Sequence, residues 1–567
     1  MQKIWQVGPG GEKSPKSLAA LRRLLMRQRG IAAAHADHFF SPRYEHVIHD
    51  PLLLSDMPLA VNRIFQAIEQ QERIIVHGDY DADGISSTAI LVTVLRDLGG
   101  LVAPHLPHRA DDGYGLNKRV VTELAGEMDL LIAVDCGITA HAEISALHER
   151  GIDTIVIDHH SVPPTLPPAV AIVHPRHPAT PYTFFGLCGA GLSWKVAQAL
   201  LRDSRSPFRD DPDREKWLLD LAILGTVADV VPLQDENRAI VRFGLEVLRR
   251  SRRPGLQALL RNTRLSAAAL TARDVAFRLV PRLNAAGRMA HAQPALDLLL
   301  TQDEAQAELL LNELNQHNQS RQTVTKKVLR EAEESITAQD PVIIVYSATW
   351  PAGVVGLVAS RLSEHYGRPA LVIGQAGERM VGSARSPRGT DVLALLEAGR
   401  ALLAQLGGHQ QAAGFTVLPG RLEQFREVVT HAAAQLQRHE IPLILYADTV
   451  ITPELVQDRV IGIVEKFAPF GEGNKQPAFV IKDLPLLNYY PVGRDQRHVK
   501  FIFHGSDSRL EGIGFGLHAQ AQQELETGAK VDVISLIEEN DYRGRRTLQL
   551  NVQDIMPAGK ITVMATP

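Results

Sequence analysis

Arg73 to Gly84 reads RIIVHGDYDADG, and this stretch decides the fold. The β-branched apolar run Ile74-Ile75-Val76 stops at His77, and Asp79, Asp81 and Asp83 follow at alternate positions. Apolar residues ending in a glycine-punctuated polar cluster read as a buried strand that gives way to a loop. From Ser86 the segment SSTAILVTVLRDLG has the pattern of a helix. Three carboxylates beside an imidazole repel one another unless a cation lies among them, and donors this rich in oxygen suit Mg²⁺ or Mn²⁺. An acidic turn that only solvates a loop would carry the same letters, so the rest of the chain has to decide.

Two further units of the same kind follow. DLLIAVDCG (129–137) is an apolar run ending on Asp135, and TIVIDHH (154–160) ends on Asp158, His159 and His160. A helical stretch, TAHAEISALHERG, lies between them. Strands alternating with helices imply βαβ units and a parallel sheet, whose strand carboxyl ends form the ligand-binding edge. Three strands therefore deliver Asp or His to one edge, which favours the metal reading over the solvated turn. After the Pro-rich loop at 161–182, REKWLLDLAILGTVADVVPL reads as a buried helix with Asp229 at its end, beside a proline that stops it.

Between Arg242 and Arg288 stand eleven arginines, opposed only by Glu246 and Asp274. Most read as a solvated face, but Arg282 and Arg288 flank the loop-like PRLNAAGRM and suit phosphate contacts. From Pro294 to Ile336 the pattern is helical without a break, a connector between domains. A second α/β unit comes next, with strands PVIIVYS and RPALVIG, the loop GSARSPRGTD, the helix VLALLEAGRALLAQL and the glycine-rich Gly407–Gly414. Ser383, Arg385 and His409 are candidate anion ligands there, since glycine-rich backbone can approach phosphate closely. The last segment alternates as short strands (HVKFIFHG, RLEGIGFG, KVDVISLIEEN, RTLQLNVQDI), which suggests an OB-fold barrel. Arg497, Lys500, Tyr542 and Arg543 are its candidate single-strand contacts.

The whole chain has 567 residues, enough for three or four domains, and 22% of them are charged. It shows neither a transmembrane run nor an apolar signal core, and two cysteines offer no disulfide framework, so a cytoplasmic setting is expected. A net charge of −4 puts any nucleic-acid binding in a local patch. No P-loop or Cys-x-x-Cys pattern occurs. His77, Asp81, Asp83, Asp135, His159 and Asp229 supply N and O donors for two divalent cations, with Asp135 on the middle strand as the natural bridge. His160 then faces the substrate as a hydrogen-bond or proton donor.

HGDYDADG, VDCG, DHH, TVADVVPL and GGHQQAAGF together resemble the DHH phosphoesterase superfamily with its companion DHHA1 domain. PRLNAAGRM, GSARSP, PFGEGN and the terminal barrel resemble its single-strand-specific DNA exonucleases. The likeness runs over nearly the whole chain from about residue 45. It implies an α/β fold: a parallel-sheet DHH domain (46–293, after a lead at 1–45), a long connector helix (294–338), a DHHA1 domain (339–440) and an OB-fold barrel (441–567). It implies a 5′→3′ exonuclease of DNA recombination and repair that releases mononucleotides with Mg²⁺ or Mn²⁺. By the same resemblance His77 and Asp81 hold one metal, Asp83, His159 and Asp229 the other, and Asp135 bridges. Asp158 orients the histidines. Arg109, Arg282, Ser383 and Arg385 grip the 5′-terminal phosphate, and His409 lies near the scissile group. Asp79 receives no role. Single-strand binding protein, a RecQ-type helicase and a monomeric state are implied only by the family. The competing readings are a DHH phosphodiesterase of short oligonucleotides, cyclic dinucleotides or pyrophosphate, and a non-catalytic replication scaffold.

Overall fold

A computed structural model of the chain describes residues 3–109, 115–263, 269–336, 340–387, 389–435, 443–505, 509–542, 545–560 and 563–565. Two compact units result, one from residues 1–48, 232–234 and 440–567, the other from 49–231 and 235–439.

In the first unit, strand β1 (Lys3–Val7) and helix α1 (Leu18–Gln28) belong with the C-terminal part of the chain. The expected lead at 1–45 is thus part of a folded unit, because alternation in five residues is too short a signal to announce β1.

In the second unit a helix at Met57–Glu69 precedes β2 (Arg73–His77) and helix α2 (Ala82–Asp97), followed by β3 (Leu101–His105), β4 (Leu130–Val134), β5 (Asp153–Ile157) and β6 (Ala171–Val173). The strands pair in parallel in the order β3-β2-β4-β5-β6. That order reverses between β2 and β4, and at such a switch point the strand ends open a crevice. Helix α2 starts one turn earlier than Ser86, because Asp81 caps it. It is buried on nearly every face, packed against α3 (Gly189–Arg202) and α4 (Leu219–Ala228). PRLNAAGRM is a helix, α5 (Val280–Met289), which continues directly from a π-turn at Val275–Leu279, with its proline in the first turn after that widening. The expected connector is two helices, α6 (Gln293–Leu300) and α7 (Glu304–Glu334). Asp303 breaks the run by accepting the Gln306 N–H at 2.7 Å, a cap that apolar periodicity does not reveal.

Strand β7 (Ile343–Pro351), α8 (Ala352–Tyr366), β8 (Ala370–Ala376), β9 (Arg379–Arg385), β10 (Leu403–His409) and β11 (Ala412–Val417) make a mixed sheet in the order β10-β11-β9-β8-β7. Ser383 and Arg385 therefore sit on a strand. Of VLALLEAGRALLAQL only Val392–Ala398 is α-helical; Leu403 onward is β10.

The remaining strands complete the first unit: β12 (Leu443–Ala447), β13 (Thr449–Ile451), β14 (Ala478–Val492), β15 (His498–His504), β16 (Arg509–Gly514), β17 (Lys530–Tyr542), β18 (Arg545–Pro557) and β19 (Val563–Ala565). β1 lies between β12 and β19, all parallel. β14 pairs with β15, β15 with β16, β16 in parallel with β18, β18 with β17, and β17 back with β14. The five strands close on themselves as an OB barrel. β14 escapes a reading by alternation because Pro485 and Pro491 punctuate it.

Candidate active site

The carboxyl edge of the β2–β6 sheet gathers the acidic residues. His77 closes β2, and its Nδ1 lies 2.9 Å from Nδ1 of His105 at the matching end of β3. Asp79, in the turn, is buried, and its Oδ1 accepts no hydrogen bond among the described residues. Burial, and after it the charge of Asp81, push its carboxyl well above the usual range. Asp81 accepts the N–H groups of Asp83 (2.9 Å) and Gly84 (3.1 Å) as the cap of α2. Asp83, one position into that helix, accepts N–H groups from Gly189 and Ala190. Asn284 of α5 accepts the Ala82 N–H at 2.8 Å, so PRLNAAGRM braces the acidic turn.

Asp135 follows β4 with a left-handed backbone (φ 58°), a strain of about 1–3 kcal/mol for a residue with a side chain and of a kind that gathers at functional sites. His159 Nε2 lies 3.1 Å from Asp135 Oδ1, 3.8 Å from Asp229 Oδ2 and 3.9 Å from Asp83 Oδ2. Burial lowers the His159 pKa, Asp83 pulling the other way, which favours the neutral ring that a metal ligand needs. Burial, and then Asp83, raise both Asp135 and Asp229.

Asp158 works differently. It accepts N–H groups from Ile138 (3.0 Å), His159 (2.7 Å) and His160 (3.1 Å), and binds His160 Nδ1 at 2.7 Å. Burial opposes its charge, but these bonds, the one from the His160 ring foremost, hold its pKa down at about 2. Behind the DHH turn, His174 Nε2 sits 2.8 Å from the His160 carbonyl and Nδ1 accepts the Arg176 N–H.

Ligand atoms fall into three groups, each within 4.8 Å: Asp83-His159-Asp229, Asp135-His159-His160 and Asp79-Asp81-Asp135. The first matches an expected ligand set. The third draws in Asp79, whose unpartnered oxygen among like charges fits a divalent cation; His77 lies outside these groups. Oxygen donors with one or two imidazoles suit Mg²⁺ or Mn²⁺.

A basic counterpart lies in the same unit. The Arg109 guanidinium stands 5.0 Å from the Tyr80 ring centroid. Burial, then Arg109 and Arg321, lower Arg288 to about 10, and burial and Arg109 lower Arg385. Arg385 Nη1 donates to Ser383 Oγ at 2.8 Å, with Gly356 of α8 close to both side chains. Arg282 instead donates to Asn315 Oδ1 (2.8 Å), Asn262 Oδ1 (3.3 Å) and the Arg278 carbonyl, which ties α5 to its neighbours. His409 is exposed, in one cross-strand row with Ala412 and Arg385. In the barrel Lys500 pairs with Glu511 at 2.8 Å and Arg497 with Asp495 at 3.5 Å. Arg264, Arg543 and the Tyr542 side chain lie outside the described residues. His105, His174, Arg321 and the Gly189-Ala190 turn escape a reading of the sequence, because each meets the site from a distant segment with no motif to mark it, and Asn284 stands in PRLNAAGRM, where only the arginines suggest a role.

Residues 73–226 match the family model of the DHH family N-terminal domain, 339–435 the DHHA1 domain and 447–554 the RecJ OB domain. The single-stranded-DNA-specific exonuclease RecJ of Bacillus subtilis is 35% identical over 97% of this chain and 70% of its own. The protein of the same name from Escherichia coli is 33% identical over 96% and 97%. The crystal structure of RecJ from Thermus thermophilus in complex with Mn²⁺ superposes with a TM-score of 0.84 at 30% identity, covering 99% of this chain and 80% of that one. The Mg²⁺ complex gives 0.78 at 28% identity, covering 99% and 79%. Among the described residues no helix is long and apolar enough to cross a membrane.

Proposed function

The chain belongs to the RecJ family of single-stranded-DNA-specific exonucleases, and from that premise we propose how its residues perform the reaction. It is a metal-dependent hydrolase that degrades single-stranded DNA from the 5′ end to 5′-mononucleotides, in recombination and repair. Asp83, His159 and Asp229 would hold one divalent cation, His77, Asp81 and Asp79 the other, and Asp135 would bridge them. Bound there, Mg²⁺ or Mn²⁺ supplies an activated water and neutralises charge on the scissile phosphate. One observation carries this assignment: His159 Nε2 lies within 3.9 Å of carboxylates from three separate elements.

Arg109, Arg288, Ser383 and Arg385 bind the 5′-terminal phosphate and set the strand's register. As water oxygen bonds to phosphorus, the bond to the 3′ oxygen of the terminal nucleotide breaks, and that oxygen takes a proton. His160 is placed to give it. Burial disfavours its charged ring, but the hydrogen bond from Nδ1 to Asp158 prevails and raises its pKa, which keeps a proton on the ring to give. His409 and Arg282 border this path. A monomer in the cytoplasm, working with a single-strand binding protein and a RecQ-type helicase, is the setting we infer.

Degrading a long 5′-phosphorylated single strand and a dinucleotide side by side with Mn²⁺ tests the substrate class. The long strand is expected to be consumed from its 5′ end at the higher kcat/KM; preference for the dinucleotide would overturn this reading.

A further inference from the structure

Helix α3 begins without a cap of its own. Its N-cap residue is Cys188, which makes no side-chain cap hydrogen bond, and no acidic residue stands in its first turn. The first N–H groups of a helix need acceptors, and here they find them more than a hundred residues away in sequence. Gly189 N–H donates to Asp83 Oδ2 at 2.7 Å and Ala190 N–H to Asp83 Oδ1 at 2.8 Å. Each carboxylate oxygen has a second lone pair, so a carboxylate that caps α3 can also face a cation. The positive end of the α3 dipole meets that carboxylate.

Two glycines leave room for this arrangement. A Cβ on Gly189 would lie 2.6 Å from Asp135 Cβ and 2.7 Å from Asp135 Oδ1. A Cβ on Gly225, in the middle of α4, would collide with Asp83 Oδ1 and with Ala190 Cβ. Gly225 costs α4 about 1 kcal/mol of helix propensity relative to alanine, so helix formation does not explain it. The same helix ends on Asp229. One glycine thus abuts the bridging carboxylate and the other the capping one.

We propose that the first turn of α3, with Gly189 and Gly225, is a positioning cradle that fixes Asp83 and Asp135, so that divalent-cation affinity is set by two residues that touch no cation. This rests on the two-cation reading of the acidic edge. The cradle aligns both carboxylates before a cation arrives, and a methyl group at either glycine turns one of them away.

The test titrates Mn²⁺ into the wild-type chain and into Gly189→Ala, Gly225→Ala and Asp135→Asn, with free Mn²⁺ read by electron paramagnetic resonance. Metal-free melting and oligonucleotide binding in EDTA are measured alongside. Wild-type binding that Asp135→Asn loses upholds the two-cation reading, and a wild type that binds no Mn²⁺ overturns that reading independently of the cradle. Both glycine variants should bind Mn²⁺ about tenfold or more weakly while keeping oligonucleotide binding, the loss typical of residues that orient metal ligands. The double variant Gly225→Ala/Ala190→Gly removes the clash between the two side chains and keeps the clash with Asp83. Its Mn²⁺ affinity should stay low; restored affinity would make Gly225 a packing residue and overturn the proposal. Should Gly225→Ala fail to fold, Gly189→Ala, which abuts Asp135, decides alone. Wild-type affinity in either folded glycine variant also overturns the cradle.

Discussion

Two clusters of like charge, opposite in sign, lie in one unit of the chain, and they are held in different ways. At the strand edge Asp79, Asp81, Asp135 and Asp229 crowd together and are raised in pKa, burial first and the neighbouring acids second. Arg109 stands over the Tyr80 ring, and burial, followed by the charge of Arg109, lowers both Arg288 and Arg385. The acidic members are pinned by backbone, through the α2 cap, the α3 turn and the left-handed Asp135. The arginines hang on long side chains with few partners among the described residues. The difference matches what we propose each binds. A divalent cation demands fixed donors at short distances, whereas a phosphate with several oxygens tolerates adaptable forks. A strand whose scissile phosphate meets the first cluster and whose terminal phosphate meets the second relieves both at once.

Removing the centre of the acidic cluster should break this comparison most completely. Asp135 belongs to two of the three ligand groups and abuts Gly189, so Asp135→Ala should lower Mn²⁺-dependent nucleotide release by ~10³-fold, several kcal/mol of lost transition-state stabilisation. Circular dichroism should stay native, and 5′-phosphorylated strands should still bind through the arginines. Undiminished release would sink the bridging role.

How far these clusters could be read from sequence differs as well. β2, β4 and β5 are short apolar runs ending in Asp and His, and a parallel sheet obliges such ends to meet. His77, Asp81, Asp83, Asp135 and His159 were therefore legible as one edge. Asp79 was legible as an acid but not in its place, because alternate residues of a turn carry no fixed direction until the chain folds. The basic cluster was harder. PRLNAAGRM looks like a loop because proline, asparagine and glycine dominate it, yet its proline sits in a first turn and its glycine lies against Tyr80. β10 was hidden inside a leucine-rich run with helical spacing, which only pairing with β11 overrides. β1 became visible only through partners more than four hundred residues away.

A smaller effect should separate the two arms of the basic cluster. Arg385 donates to Ser383 and stands close enough to Arg109 to be lowered by it, so Arg385→Ala should weaken binding of 5′-phosphorylated strands by about tenfold, the worth of one charge-assisted contact. Strands ending in a 5′ hydroxyl should lose little. Equal losses on both would place Arg385 along the general path of the strand. Binding of either should weaken as salt rises, since the contacts are to phosphates.

The smallest effect is on stability. A carboxyl whose folded pKa is raised binds its proton more tightly folded than unfolded, so its contribution to stability falls as pH rises from the unfolded value of about 3.9 to the folded one. Asp229 is pushed up to about 8, and Asp79, Asp81 and Asp135 move in the same direction. The arginines stay charged throughout, Arg288 being lowered only to about 10, so they add no slope below pH 8. The metal-free chain should therefore melt ~2–4 °C lower at pH 8 than at pH 6. Saturating Mn²⁺ should flatten or reverse that slope, because a cation stabilises the ionised carboxylates and competes with protons for them. A metal-free melting temperature that rises over this range would mean that the acidic cluster carries no such strain, and the contrast between the two clusters would then be one of sign alone.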